Sequence, residues 1–160
     1  MQPPEPLQAS HDIRVFDCGN ALLNDWLKRR ALANHSGGAT RCYVVAHANA
    51  VVAYYAISAG AVTASQATGN IKRNMPDPIP VIVLARLAID QRYQAKGLGR
   101  ALLKDAVQRA IRVARDVGVR ALLVHAIDAA AQAFYVKHGF SASPTAPLTL
   151  MIRLPDSGSN

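Results

Sequence analysis

The stretch that most constrains this chain is Pro80-Val-Ile-Val-Leu-Ala-Arg-Leu-Ala-Ile-Asp90, a nearly unbroken run of β-formers with a helix-period segment close behind it. Apolar residues without alternation are what a strand covered on both faces requires, so Val81–Ile89 belongs at the centre of a sheet. From Gly99 to Val117 the period changes. Leu102, Leu103, Ala106, Val107, Ala110, Val113 and Val117 make an apolar helical stripe, with Asp105–Arg109 and Arg112–Asp116 as i,i+4 pairs on the wet side and Gly118 as a C′ stop. Between strand and helix lies Gln94-Ala-Lys-Gly-Leu-Gly-Arg100. A buried strand, a short glycine turn and a helix start converge several backbone N–H groups and the helix dipole on one point, which suits an anion. Gly97 and Gly99 allow close approach, and Lys96 and Arg100 add charge, so a pyrophosphate cradle is expected; the plainer reading is a tight turn with glycines for sterics.

The rest of the chain supplies a single-domain α/β frame, with helices on both faces of a mixed sheet of about six to seven strands. Asn20 can cap a helix running to about Asn34, with Leu23, Trp26, Leu27 and Arg30 on one side, and His35-Ser-Gly-Gly stops it. Arg41–Ala46 and Val51 to about Val62 read as an antiparallel hairpin. Thr63–Pro80, with Gly69, Pro76, Pro78 and Pro80, reads as a loop with room for one helical turn. Ala121–Ala126 is a short buried strand, Asp128 caps a helix through about His138 that Gly139 stops, and Phe140–Ser143 with Leu148–Leu154 forms a final hairpin. Residues 1–5 and 155–160, rich in proline and small polar residues, are expected to be loose.

Composition narrows the functional classes. The 160 residues contain 51% hydrophobic and 18% charged side chains, a globular balance. No apolar run reaches the ~20 residues of a spanning helix and the start has no signal-peptide pattern, so a cytoplasmic protein without a membrane partner is expected. Cys18 and Cys42 lack metal-ligand spacing and read as free thiols. His11, His35, His47, His125 and His138 are scattered without an i,i+4 pair, so no metal is expected; His125 reads as a core residue and His138 as a helix-end charge. The net charge of +8 favours polyanionic partners, nucleic acid first.

The glycine turn is neither a P-loop nor the dinucleotide G-x-G-x-x-G, because Leu102 stands where the third small residue belongs. It resembles the acetyl-CoA motif Q/R-x-x-G-x-G/A of the GNAT N-acetyltransferases, through Gln94, Gly97 and Gly99. Downstream, Asp128-Ala-Ala-Ala-Gln-Ala-Phe-Tyr-Val-Lys-His-Gly-Phe140 resembles the second signature of that family, N-x-x-A-x-x-x-Y-x-x-x-G-F, with Asp128 in place of the usual Asn. Three further stretches, Phe16-Asp-Cys-Gly, Leu23-Asn-Asp-Trp-Leu27 and Asn74-Met-Pro-Asp-Pro-Ile-Pro80, extend the likeness to the GNAT toxins of bacterial toxin–antitoxin pairs, over roughly residues 5–153.

That resemblance implies a GNAT fold, acetyl-CoA as acetyl donor, aminoacyl-tRNA as acceptor, a small DNA-binding antitoxin as partner, and a homodimer. It implies pantetheine against Leu87, Ala88 and Ile89. The rest of the acetyl-CoA would lie on Gln94, Ala95, Lys96, Gly97, Leu98, Gly99 and Arg100, with Asp128, Ala131 and Phe134 on the following helix. It gives Tyr135 the role of proton donor to the departing sulfur; a packed core tyrosine is the plainer alternative.

The residues themselves bear on the acceptor. Glu5 is the single glutamate, and no acid lies inside the central strand before Asp90, so an obvious general base is missing. A lysine near ~10.4 would need one, whereas an α-amine near ~8 is often neutral already and water suffices. Lys28, Arg29, Arg30, Arg41, Lys72, Arg73, Arg86 and Arg92 are candidates for the tRNA backbone, Arg86 for orienting the acceptor end. Two rival readings remain: a GNAT enzyme acting on a small amine or a protein N-terminus, and a non-catalytic nucleic-acid or CoA-binding module.

Overall fold

The structure, a computed structural model, describes residues 2–156. Seven strands form one sheet in the order β1-β2-β3-β4-β5-β7-β6. They are β1 Glu5–Pro6, β2 Arg41–His47, β3 Ala50–Val62, β4 Ile79–Ile89, β5 Ala121–His125, β6 Ser141–Ala142 and β7 Thr149–Arg153. The helices among the described residues are α1 Ala21–Arg29, α2 Ala31–Gly37, α3 Gly69–Lys72, α4 Leu98–Asp116 and α5 Ala129–Lys137, with a 3-10 turn at Gln91–Tyr93. The sheet is mixed: β4 and β5 run parallel, while β1–β2, β2–β3, β5–β7 and β6–β7 are antiparallel. The chain groups into two compact units, one of residues up to Ser58 with Ala85–Ala106, the other of Ala59–Leu84 with the residues from Val107 onward.

In the first unit the Asn20 side chain accepts a hydrogen bond from the Leu23 N–H at 3.1 Å and starts α1, as the sequence predicts. The helix buries Trp26 and Leu27 against Phe16, Tyr54 and Ala88. It does not run unbroken to Asn34: Arg30 leaves helical geometry at φ −123° and separates α1 from α2, which Gly38 closes at φ +81°. No proline or glycine marks that break, so periodicity alone reads through it. The front of the chain is also more ordered than its prolines suggest. Glu5 and Pro6 pair with Val44 and Tyr43, and Pro6 is tolerated because β1 is an edge strand. Asp105 is half-buried rather than on a wet face, because Tyr55 Oη donates to its carboxylate at 2.5 Å.

In the second unit Val62, Ile71, Ile79, Val81, Leu123 and Met151 make the core. The loop after β3 contains the one helical turn that the sequence leaves room for, and Arg120 holds it. The guanidinium donates to the carbonyls of Ile71 at 3.1 Å and of Asn70 and Arg73 at 3.2 Å, satisfying acceptors that so short a helix leaves open. Asp156 is tied down as well, by Arg153 at 3.0 Å and Arg120 at 3.4 Å, so the expected looseness does not extend to it. Met1 and residues 157–160 lie outside the described residues. Gly118 follows α4 without adopting a left-handed φ, and Val117 is 57% exposed rather than part of the stripe. His125 is a further correction: it is exposed at the end of β5 and meets Thr149 Oγ1 at 3.0 Å, because burial along that strand stops at Val124.

Candidate active site

The glycine turn lies in the first unit and is braced from below. Asp90, 2% exposed, accepts hydrogen bonds from Arg92 Nε at 2.9 Å, Arg92 Nη2 at 3.0 Å, the Arg92 N–H at 3.0 Å and the Asp17 N–H at 3.1 Å. The Arg92 side chain chiefly, against the penalty of burial, holds the Asp90 carboxyl down at about 2. Gln94 then reaches back, its Nε2 donating to the Ile89 carbonyl at 2.8 Å and the Cys18 carbonyl at 3.1 Å. This fixes where β4 ends and the turn begins.

Beyond Gln94 the backbone turns through two left-handed residues, Ala95 at φ +61° and Gly97 at φ +81°. The first of these is a non-glycine that the sequence does not flag. A Cβ placed on Gly97 would find no atom within 4 Å, so that position faces open space. The helix ladder of α4 begins with the Ala101 N–H bonding to the Gly97 carbonyl at 3.1 Å. The N–H groups of Leu98, Gly99 and Arg100 therefore stand ahead of the ladder, at the positive end of the dipole. Lys96 and Arg100 are exposed on either side.

On the strand leading to it, Ala88 is buried while Leu87 and Ile89 are half-buried. The parallel register with β5 runs from Val81↔Ala121 to Leu84↔Val124, whereas β4 itself continues to Ile89.

Tyr135 belongs to the second unit, on α5. That helix starts as the sequence predicts, Asp128 Oδ1 accepting from the Ala131 N–H at 2.8 Å, and Gly139 turns the chain away at φ +94°. The Tyr135 ring is 7% exposed and packs edge-on against Phe134 and Phe140 at 5.2 and 5.5 Å. Among the described residues its Oη has no hydrogen-bond partner, yet it is not among the sealed, unpartnered polar atoms, so the hydroxyl remains reachable. Burial pushes its pKa up to about 12, which keeps the proton on Oη at neutral pH. Ala131 and Phe134 are half-buried nearby, and His138 caps α5 with Nδ1 2.8 Å from the Phe134 carbonyl.

The basic candidates separate. Arg29, Arg30 and Arg86 come together in the first unit around a surface depression that Leu22, Asp25 and Trp26 complete. The Arg86 guanidinium lies 4.4 Å over the Trp26 ring, a partnership that spacing in the sequence does not reveal. Arg92 is engaged by Asp90, and Arg41 donates to the His35 carbonyl at 2.7 Å. Lys28, Lys72 and Arg73 are exposed, the last two in the second unit. Both cysteines are free, and among the described residues no group of His, Cys, Asp and Glu is arranged to hold a metal ion. Nor is any helix among them long and apolar enough to cross a membrane.

Comparison with known proteins places this geometry in context. Residues 38–142 match the acetyltransferase (GNAT) domain model. A tRNA-acetylating toxin from Mycobacterium tuberculosis is 46% identical over 96% of this chain and 93% of its own length. The structure of AtaT complexed with acetyl-methionyl-tRNAfMet is similar with a TM-score of 0.86 at 26% identity, covering 94% of this chain and 93% of that one. A tyrosine-to-phenylalanine mutant of AtaT, bound to the C-terminus of the antitoxin AtaR and acetyl-CoA, is similar with a TM-score of 0.80 at 27% identity, covering 94% and 91%. With its glycine turn at the start of α4 and its tyrosine on α5, the chain belongs to the GNAT family of acetyltransferases.

Proposed function

We propose that this protein is the toxin of a toxin–antitoxin pair and transfers acetyl from acetyl-CoA to the α-amine of aminoacyl-tRNA, which blocks translation. The observation that carries the reading is its similarity, along nearly the whole chain, to a relative named for tRNA acetylation. A solved relative complexed with acetyl-methionyl-tRNA supports the same acceptor, and one bound to an antitoxin C-terminus supports the partner. A homodimer is part of the proposal, by family resemblance.

The residues fit acetyl-CoA on one observation of this chain: open space over Gly97 at a helix start flanked by exposed Lys96 and Arg100. When bound, acetyl-CoA supplies the activated acetyl group. The N–H groups of Leu98, Gly99 and Arg100, with Lys96 and Arg100 beside them, would hold its pyrophosphate, Gln94 fixing the turn and Ala95 bending it. The backbone of Leu87, Ala88 and Ile89, past the end of the β4–β5 register, holds the pantetheine. Family resemblance adds Asp128, Ala131 and Phe134 of α5 to the proposed set. By family resemblance, Tyr135 Oη, protonated at neutral pH, would give its proton to the departing sulfur.

Among the described residues no buried carboxylate is free to serve as base, and water can take that role. Asp90 is the one buried acid among the described residues, and it is ionised and occupied by Arg92. A weakly basic amine that sheds its proton to water is the acceptor such a site can use, which favours an aminoacyl ester over a lysine. Lys28, Arg29, Arg30, Arg41, Lys72, Arg73, Arg86 and Arg92 supply positive charge toward the RNA, Arg92 mainly by supporting the turn.

Cell-free translation tests the function. Purified protein is expected to stop synthesis when acetyl-CoA is present and to leave it running when CoA replaces the thioester. Equal inhibition by both would overturn the enzymatic reading in favour of a binding module.

A further inference from the structure

Four planar groups in the first unit form a column. Phe16 meets Tyr54 edge-on at 5.5 Å, Tyr54 stacks on Trp26 at 5.7 Å with 17° between planes, and the Arg86 guanidinium caps the Trp26 ring at 4.4 Å. The column starts in the core, where Phe16 and Tyr54 are fully buried. It ends at the depression lined by Leu22, Asp25, Trp26, Arg29, Arg30 and Arg86. Tyr54 Oη donates to the Leu23 carbonyl at 2.7 Å, which ties the column to α1. An arginine ordinarily loses rotamer freedom on meeting a ligand, and one already seated over an indole has less of it to lose.

We propose that the Arg86 guanidinium, held over the Trp26 ring, is a stacking platform for an unpaired base at the 3′ end of the acceptor RNA, with Arg29 and Arg30 taking the adjoining phosphates. The inference rests on aminoacyl-tRNA being the acceptor. Unpaired RNA ends are recognised by stacking on aromatic or guanidinium planes combined with phosphate neutralisation. The depression carries that combination: a planar cation, two exposed arginines against the single carboxylate of Asp25, and the apolar side of Leu22, 80% exposed. Its place on β4 is also suitable. Arg86 and Ile89 are three residues apart, roughly 10 Å along a strand, so a terminal nucleotide gripped at Arg86 is within reach of the end of the pantetheine arm. Trp26 is then a positioning residue, acting through Arg86.

Steady-state acetylation by the full chain distinguishes stacking from charge. Arg86→Lys keeps the charge and loses the plane; it is expected to raise KM for aminoacyl-tRNA roughly 5- to 100-fold, with KM for acetyl-CoA little changed. Trp26→Leu should follow it, and Trp26→Phe should restore most of what Trp26→Leu loses. Because Trp26 is only 8% exposed and Trp26→Leu can fail to fold, a second measurement uses the native protein. Trp26 is the one tryptophan in the chain, so its emission reports on this site. Intact deacylated tRNA should change that emission, and tRNA trimmed of its single-stranded 3′ end should bind without doing so. The inference is overturned by an Arg86→Lys enzyme with unchanged KM, by equal responses to intact and trimmed tRNA, or by a response to an antitoxin peptide and none to tRNA. A native enzyme that acetylates aminoacyl-tRNA while Arg86→Lys matches it sinks this inference alone. A native enzyme inert toward aminoacyl-tRNA sinks the proposed function.

Discussion

Arg92 grips Asp90 side-on through one edge of its guanidinium, Nε at 2.9 Å and Nη2 at 3.0 Å, and so closes the end of β4 beneath the glycine turn. The pair links a buried carboxylate to an arginine side chain that is 60% exposed. Asp90 therefore contributes stability as an anion, with a folded pKa of about 2 against an unfolded value near 3.9. A depressed carboxyl stabilises above its unfolded pKa and loses that contribution as pH falls through the folded one. Asp90→Asn is expected to lower stability at pH 7 by roughly 1–2 kcal/mol, discounted for the solvent on Arg92. Thermal melts at pH 7, 4 and 2 check this: the gap between native and variant should narrow steadily from about pH 4 to pH 2.

Gly97→Ala should separate folding from cofactor binding. Its Cβ meets no atom within 4 Å, but φ is +81°, so the strain is about 1–2 kcal/mol and the chain still folds. The new methyl occupies the space proposed for pyrophosphate. Calorimetry with acetyl-CoA should show at least a tenfold weaker Kd, and unchanged affinity would contradict the cradle.

Tyr135→Phe removes an oxygen that has no hydrogen-bond partner among the described residues, so melting should hardly move. Acetyl transfer should fall by roughly 10²- to 10⁴-fold with acetyl-CoA still bound. Because burial holds the native hydroxyl at about 12, initial rates should climb as the acceptor amine deprotonates near pH ~8 and show no falling limb from the tyrosine up to pH ~9.

Much of this site is legible in the sequence because it is local. The Gln94–Arg100 turn, the Asn20 and Asp128 caps and the Gly139 stop each depend on neighbours a few residues away, and each appears where spacing predicts. What spacing misses is tertiary. Arg86 reads as a free cation until it lies over Trp26, sixty residues away. Arg120 carries no motif because its partners are backbone carbonyls far away in sequence. The strand at Glu5–Pro6 is hidden by its proline, and the break at Arg30 has no breaker residue to mark it.

Electrostatics should show in the salt response. Arg29→Gln and Arg30→Gln are expected to weaken binding of any tRNA alike, and each should flatten the slope of log K against log salt by up to ~1. Filter binding from 50 to 300 mM salt measures this, and slopes equal to that of the native protein would remove those two arginines from the RNA contact.

The acetylated atom itself is the most direct test. Native protein is incubated with acetyl-CoA and charged tRNA, the RNA is digested, and the 3′-terminal aminoacyl-adenosine is analysed by mass spectrometry. The account predicts one acetyl on the α-nitrogen of the amino acid and none when deacylated tRNA is supplied. Unmodified aminoacyl-adenosine, with acetyl-CoA consumed only when another amine is offered, would contradict it.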